Sequence, residues 1–77
     1  MGTSAYILIE VQVGRGVEVV RMLRQLDGVR SADAITGPFD AIALIEAPNM
    51  AAVADLVTGQ VQSIRGVLKT ITCVTAG

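Results

Sequence analysis

The stretch "LDGV", Leu26 to Val29, returns in altered form as "IRGV", Ile64 to Val67. Each copy gives the last core position of a helical stripe, a charged residue, a glycine and the first valine of a strand-like run. Glycine just past a helix takes the left-handed conformation that ends it. Ahead of the first copy, Val19, Met22, Leu23 and Leu26 fall at helical spacing, with Glu18, Arg21, Arg24 and Gln25 toward water. Ahead of the second, Met50, Val53, Val57, Val61 and Ile64 make a similar stripe, and Asn49 is placed to cap its start. Gly59 inside this helix costs about 1 kcal/mol relative to alanine, which predicts close packing there or an early end.

Strands flank both helices. "AYILIEVQV", Ala5 to Val13, alternates Ile7, Ile9, Val11 and Val13 with Tyr6, Leu8, Glu10 and Gln12, the period-2 pattern of a strand. The face carrying Ile7, Ile9 and Val11 is expected to meet the helices. "GRG" then breaks the strand. The second strand, Val29 to Ile35, is more polar and is expected toward a sheet edge. The third, Ala41 to Ala47, is apolar on both faces until Glu46 and is expected in the centre. Val67 to Thr75 forms the last. The order is βαβ–βαβ. Right-handed crossovers joined by a hairpin predict an α+β, ferredoxin-like βαββαβ fold: a four-stranded antiparallel sheet with two helices on one face. The other face, with Tyr6, Leu8, Ile42 and Leu44, has no helix left to cover it, so a second subunit's sheet is expected there, as in a dimeric α+β barrel.

Composition supports self-association. The chain has 77 residues, 52% of them hydrophobic, and reads as a single domain, 1–77. A domain of this size buries only about 60% of the surface its unfolded chain exposes. The longest unbroken apolar run, Ala41 to Ile45, is far short of the ~20 residues a spanning helix needs, so no membrane partner is expected. Net charge is −1, six Lys+Arg against seven Asp+Glu, and the cations are scattered. With only Tyr6 and Phe39 as aromatics, the chain offers neither a basic stripe nor a base-stacking platform, and no direct nucleic-acid binding is expected. "MGTSAY" is neither a signal peptide nor a myristoylation site, and the one cysteine makes no internal disulfide, so a cytoplasmic protein is the expectation.

The search for catalytic groups returns little. There is no histidine, and one cysteine without histidine makes neither a zinc site nor the usual thiol nucleophile. Cys73 is expected to be a small buried packing residue. The glycines of "GRG" match no phosphate-binding loop. Glu10 and Glu46 share outward parity and could form a carboxylate pair, although a solvated rim or an interface explains them more simply. No metal, no cofactor and no enzymatic activity are expected.

"TGPFD", Thr36 to Asp40, is the stretch with a choice of readings. As a corner, Gly37 and Pro38 supply the turn geometry and Asp40 bonds nearby backbone. As a site, the outward amides of a tight turn bind a carboxylate and Asp40 accepts an ammonium group. Those two groups are the invariant part of a free amino acid. Thr70, Thr72 and Thr75 could add hydroxyl contacts, or could simply reflect β-propensity on an exposed face.

These residues resemble the effector-binding (RAM) domain of the Lrp/AsnC, or leucine-responsive/feast-famine, transcription regulators. The likeness runs through "AYILIEVQV", the "GV" of strand two, "TGPFDAIALIEAPNM" and "IRGVLKTITCV", from Ala5 to Thr75. It implies a ferredoxin-like sandwich dimerised through its sheets, rings of dimers such as an octamer, and an amino acid or similar metabolite bound between dimers. Carried onto this sequence, the ligand loop falls on Thr36, Gly37, Pro38, Phe39 and Asp40, and the threonine-bearing strand on Thr70 and Thr72, some of them from a neighbouring subunit. The family's helix-turn-helix domain has no counterpart before the first strand here. The expectation is therefore a stand-alone sensor able to co-assemble with a full-length Lrp/AsnC regulator. Two other readings stand beside it: a small dimeric α+β-barrel monooxygenase or isomerase, and a purely structural oligomerisation module. Amino-acid domains of the ACT type share the topology, but their ligand loop follows the first strand, here "GRG".

Overall fold

The computed structural model describes residues 2–76. Met1, which the sequence reading places ahead of the first strand, lies outside the described residues. The elements are β1 (Thr3–Val11), α1 (Gly16–Arg24), β2 (Val29–Ala34), β3 (Ala41–Ala47), α2 (Met50–Leu56), a π-helical turn continuing α2 (Val57–Val61), and β4 (Val67–Val74). The strands form one antiparallel sheet in the order β2-β3-β1-β4. This is the expected ferredoxin-like topology, with polar β2 at an edge and apolar β3 inside. β1 starts and stops two residues earlier than the alternation suggests, because Thr3 pairs with Ala47 and the chain turns at Gln12.

The repeated tetrapeptide is a repeated structure. Gly28 and Gly66 have φ of 93° and 102°, the left-handed region. The Val29 N–H donates to the Leu26 carbonyl at 3.2 Å, and the Val67 N–H donates to the Ile64 carbonyl at 3.1 Å. The likeness continues one residue further. Register is lost between Val29 and Ser31 on β2 and between Val67 and Lys69 on β4, so Arg30 and Leu68 are the bulged residues of the two copies. In the first, Arg30 forms an ion pair with Glu46 at 3.2 Å.

The core lies between the sheet and the helices. Ala5, Ile7, Ile9 and Val11 from β1 and Ala41, Ala43 and Ile45 from β3 are buried against Val19, Val20 and Leu23 of α1 and Val53, Leu56, Val57 and Val61 of the second helical segment. Alternation predicted the strand contributions. The helical ones differ in part: Met22 and Met50 are 42% and 49% exposed, while Val20 and Leu56 take core positions. The second helical segment ends in the π-turn, where Val57 and Val61 are buried as the stripe predicts, directly after Leu56. Gly59 sits in that turn, and a Cβ there would meet nothing within 4 Å, so close packing is not its reason. Asn49 caps α2 as expected, its Oδ1 accepting from the Ala52 N–H at 2.9 Å.

The second face of the sheet is open. Tyr6, 43% exposed, and Leu8, Ile42, Leu44 and Ile71 lie there. Cys73 pairs with Tyr6 on this face and is exposed, against the expectation of a buried packing residue. Strand register puts it opposite Tyr6 rather than beneath the helices. Glu10 and Glu46 do share this face but do not meet. Glu46 stands opposite Ser4, and Glu10 lies six positions further along β1, roughly 20 Å away. Among the described residues, no helix is long and apolar enough to cross a membrane.

Candidate functional site

The corner between β2 and β3 is wider than a tight turn. The last β2–β3 pair is Ala34 with Ala41, and the Ile35 N–H closes the loop on the Asp40 carbonyl at 3.0 Å. Gly37 holds φ at 136°, a conformation that strains any residue with a Cβ. Thr36, Gly37 and Pro38 are exposed and Phe39 is half-buried. Among the described residues, no acceptor takes up the N–H groups of Thr36, Gly37 and Phe39. These amides, on an exposed loop, are donors open to water or to an anion.

Asp40 is tied into the fold. Its N–H donates to the Ile9 carbonyl at 2.9 Å, and its Oδ2 accepts from the Val11 N–H at 2.8 Å. β3 begins only at Ala41, so the carboxylate stands in for a missing rung at the end of β1. One carboxylate oxygen, Oδ1, makes no hydrogen bond among the described residues and is open to a further donor.

The structure brings a second loop to this carboxylate. A depression of about 350 Å³ is lined by Val11, Gln12, Val13, Gly14, Gly16 and Asp40. "GRG" and "TGPFD", which sequence reading sets apart as two alternatives, thus border one space. Gly14, at φ 86°, and the Arg15 N–H bonded to the Gln12 carbonyl at 3.0 Å shape the first loop, and Val13 is 99% exposed beside it. No signal in a single sequence reports this meeting, because it depends on the 29-residue span between Val11 and Asp40 closing.

Thr70 and Thr72 are placed differently. Ala41, Ile9 and Thr70 lie on one rung, and Ala43, Ile7 and Thr72 on another. Two strand spacings, about 10 Å, separate Thr70 from the start of β3. Register with Ile9 turns Thr70 toward the helical layer, where its Oγ1 accepts from Gln62 Nε2 at 2.9 Å. Thr72, in register with Ile7, is exposed. Within one protomer the two threonines are not gathered at the corner.

Against this geometry stand three likenesses to known proteins. The chain is 30% identical over 77 residues to the uncharacterized HTH-type transcriptional regulator PH1916 of Pyrococcus horikoshii. The match takes in 96% of this chain and 51% of PH1916, so the chain spans about half the length of that relative. The crystal structure of TTHA0845 from Thermus thermophilus superposes with a TM-score of 0.92 at 27% identity, over 97% of this chain and 94% of that one. The transcriptional regulator NMB0573 of Neisseria meningitidis, solved as an L-Met complex, has the same fold, with a TM-score of 0.87 at 21% identity, over 97% of this chain and 50% of that one. Residues 4–76 match the family model of the Lrp/AsnC ligand-binding domain, and the chain belongs to that family.

Proposed function

We propose that this chain is a non-enzymatic, homo-oligomeric sensor of a free amino acid or a closely similar metabolite, serving transcription regulation. The observation that carries the reading is the corner itself: three amides without acceptors at Thr36, Gly37 and Phe39 beside a carboxylate with one free oxygen. The amides would hold the ligand carboxylate and Asp40 Oδ1 its ammonium group, in charge-assisted hydrogen bonds. The L-Met complex of NMB0573 supports an amino acid as the ligand class. The ligand side chain would be enclosed by a neighbouring dimer, and Thr70 and Thr72 would reach it only from that neighbour. Binding would act through differential affinity for two assembly states.

The open sheet face supports dimerisation by sheet stacking, since Tyr6, Leu8, Ile42, Leu44 and Ile71 make one apolar surface without a cover. The enzymatic alternative is the weaker reading, because the family model that matches is that of a ligand-binding domain. Calorimetric titration with the twenty amino acids tests the sensor reading. Binding of at least one, abolished in Asp40→Asn while the fold persists, supports it. Absence of binding by the wild-type protein, or equal binding by Asp40→Asn, overturns it.

A further inference from the structure

The turn after β1 is braced, and it presents one apolar side chain beside Asp40. The Arg15 N–H donates to the Gln12 carbonyl at 3.0 Å, and Gly14, third in the turn, has φ 86°. That bond and that φ make Gln12–Arg15 a type II turn with Val13 at its first corner. Both ends are held. The Gln12 N–H donates to the Gly66 carbonyl at 2.7 Å. Gly66 lies so near Arg15 that a Cβ there would stand 2.9 Å from the Arg15 Cβ. Val13, almost fully exposed, is therefore displayed by a turn fixed to the body of the protein rather than carried on a loose loop.

The depression that Val13 borders is poor in polar side chains. Of its lining, Val11, Val13, Gly14 and Gly16 contribute none, Gln12 contributes a neutral amide, and Asp40 contributes the only charge. A Cβ added at Gly14 or Gly16 would meet nothing within 4 Å, so neither glycine marks a crowded wall. The Arg15 guanidinium is not part of the lining and pairs with Glu18 at 3.2 Å. A ligand whose ammonium group meets Asp40 Oδ1 thus finds valines and glycines beside that contact, and no cation. Sites of this composition enclose an apolar group and use their few polar atoms to orient it. An acidic side chain would face the Asp40 carboxylate with nothing to balance it. A neutral polar one would give up its water with Gln12 alone in exchange.

We propose that Val13 is the specificity-determining residue of the amino-acid site: it covers the ligand side chain and makes the site select aliphatic amino acids over polar ones of the same shape. This rests on the sensor reading, in which Asp40 holds the ammonium group, and adds to it the class of side chain accepted. The carboxylate and ammonium contacts are common to every amino acid, so selection falls to the wall that Val13 supplies, with the neighbouring dimer closing the other side.

The test is calorimetric titration of the full chain with two shape-matched pairs, valine against threonine and leucine against asparagine. In each pair the aliphatic member should bind at least about tenfold tighter. Val13→Thr exchanges a methyl for a hydroxyl at an exposed position and keeps the branched shape. It should lower both ratios at least about threefold, by weakening valine and leucine, with urea unfolding unchanged. Val13→Lys supplies the missing cation and should raise glutamate affinity relative to leucine at least about tenfold. Asp40→Asn should instead weaken all four ligands alike, which separates the two ideas. Preference for threonine or asparagine in the wild type, ratios unchanged in Val13→Thr, or no gain for glutamate in Val13→Lys each overturn the role of Val13 while the sensor reading stands. Absence of binding by any amino acid overturns both.

Discussion

The Asp40 Oδ2 accepts the Val11 N–H at 2.8 Å, which joins the corner after β2 to the last residue of β1. The same residue donates its own N–H to the Ile9 carbonyl. Asp40 therefore supports the sheet before any ligand is considered, and its substitutions divide accordingly. Asp40→Ala leaves a part-buried Val11 N–H without an acceptor and should cost about 1–3 kcal/mol in urea unfolding. Asp40→Asn keeps an acceptor oxygen and should cost less than half as much. If alanine and asparagine destabilise equally, the Val11 bond draws its strength from the charge rather than from the acceptor.

Gly59 and Gly28 should respond in opposite directions. Gly59 is helical, lacks a positive φ, and has open space where a Cβ would stand, so Gly59→Ala should stabilise by about 0.5–1 kcal/mol. Gly28 has φ 93°, and a Cβ there would lie 3.1 Å from Leu56 Cδ2 and 3.3 Å from the Glu46 carbonyl. Gly28→Ala should destabilise by about 1–3 kcal/mol. Thermal denaturation reads both, at roughly 4–8 °C per kcal/mol for a domain of this size. A loss of stability in Gly59→Ala would mean that the π-turn needs its glycine.

The open sheet face should control assembly. Leu8→Glu places a charge at the middle of that face and should shift the protein to a lower-order species in sedimentation velocity. Cys73, exposed in one protomer on the same face, gives an independent reading. Its alkylation by iodoacetamide should be slow in the wild-type assembly and at least about tenfold faster in Leu8→Glu, following the accessibility of the thiol. Equal rates in both proteins would remove the sheet face from the interface.

Removing the Asn49 side chain should loosen the start of α2. Asn49→Ala frees the Ala52 N–H and should cost about 1 kcal/mol, whereas Asn49→Asp retains the acceptor and should fall within about 0.5 kcal/mol of wild type. Urea unfolding distinguishes the two. Equal destabilisation would show that capping by this side chain contributes nothing measurable.

The strands and their order were legible because alternation is a local property. Ile7, Ile9 and Val11 declare a buried face within five residues, and the paired tetrapeptides declare the duplication. The helices were legible in place but not in rotation. Met22 and Met50 fit an ideal winding, and the π-turn at Val57–Val61 departs from one. Parity gave Glu10 and Glu46 their face but not their separation, which register alone decides. Cys73 illustrates the same limit: its strand was clear, but which side it presents depends on its pairing with Tyr6. At the corner, the residue types announced a turn with surplus polar groups. Both the Val11 bond and the approach of "GRG" depend on closure over 29 residues, which no local pattern encodes.

The strand order has a further effect on how the molecule holds together. In β2-β3-β1-β4, no two neighbours come from the same βαβ half: β1 pairs only with β3 and β4, and β2 only with β3. The halves interlock like the fingers of two hands, and neither forms any sheet by itself. A fragment ending before Ala41 has strands without ladders, so the sheet forms all at once, from contacts distant in sequence. The loop from Ile35 to Asp40 is the sole covalent bridge between the halves. Were it to straighten, two copies could exchange halves and regain every strand pair, a reciprocal swap to which the topology itself offers no resistance.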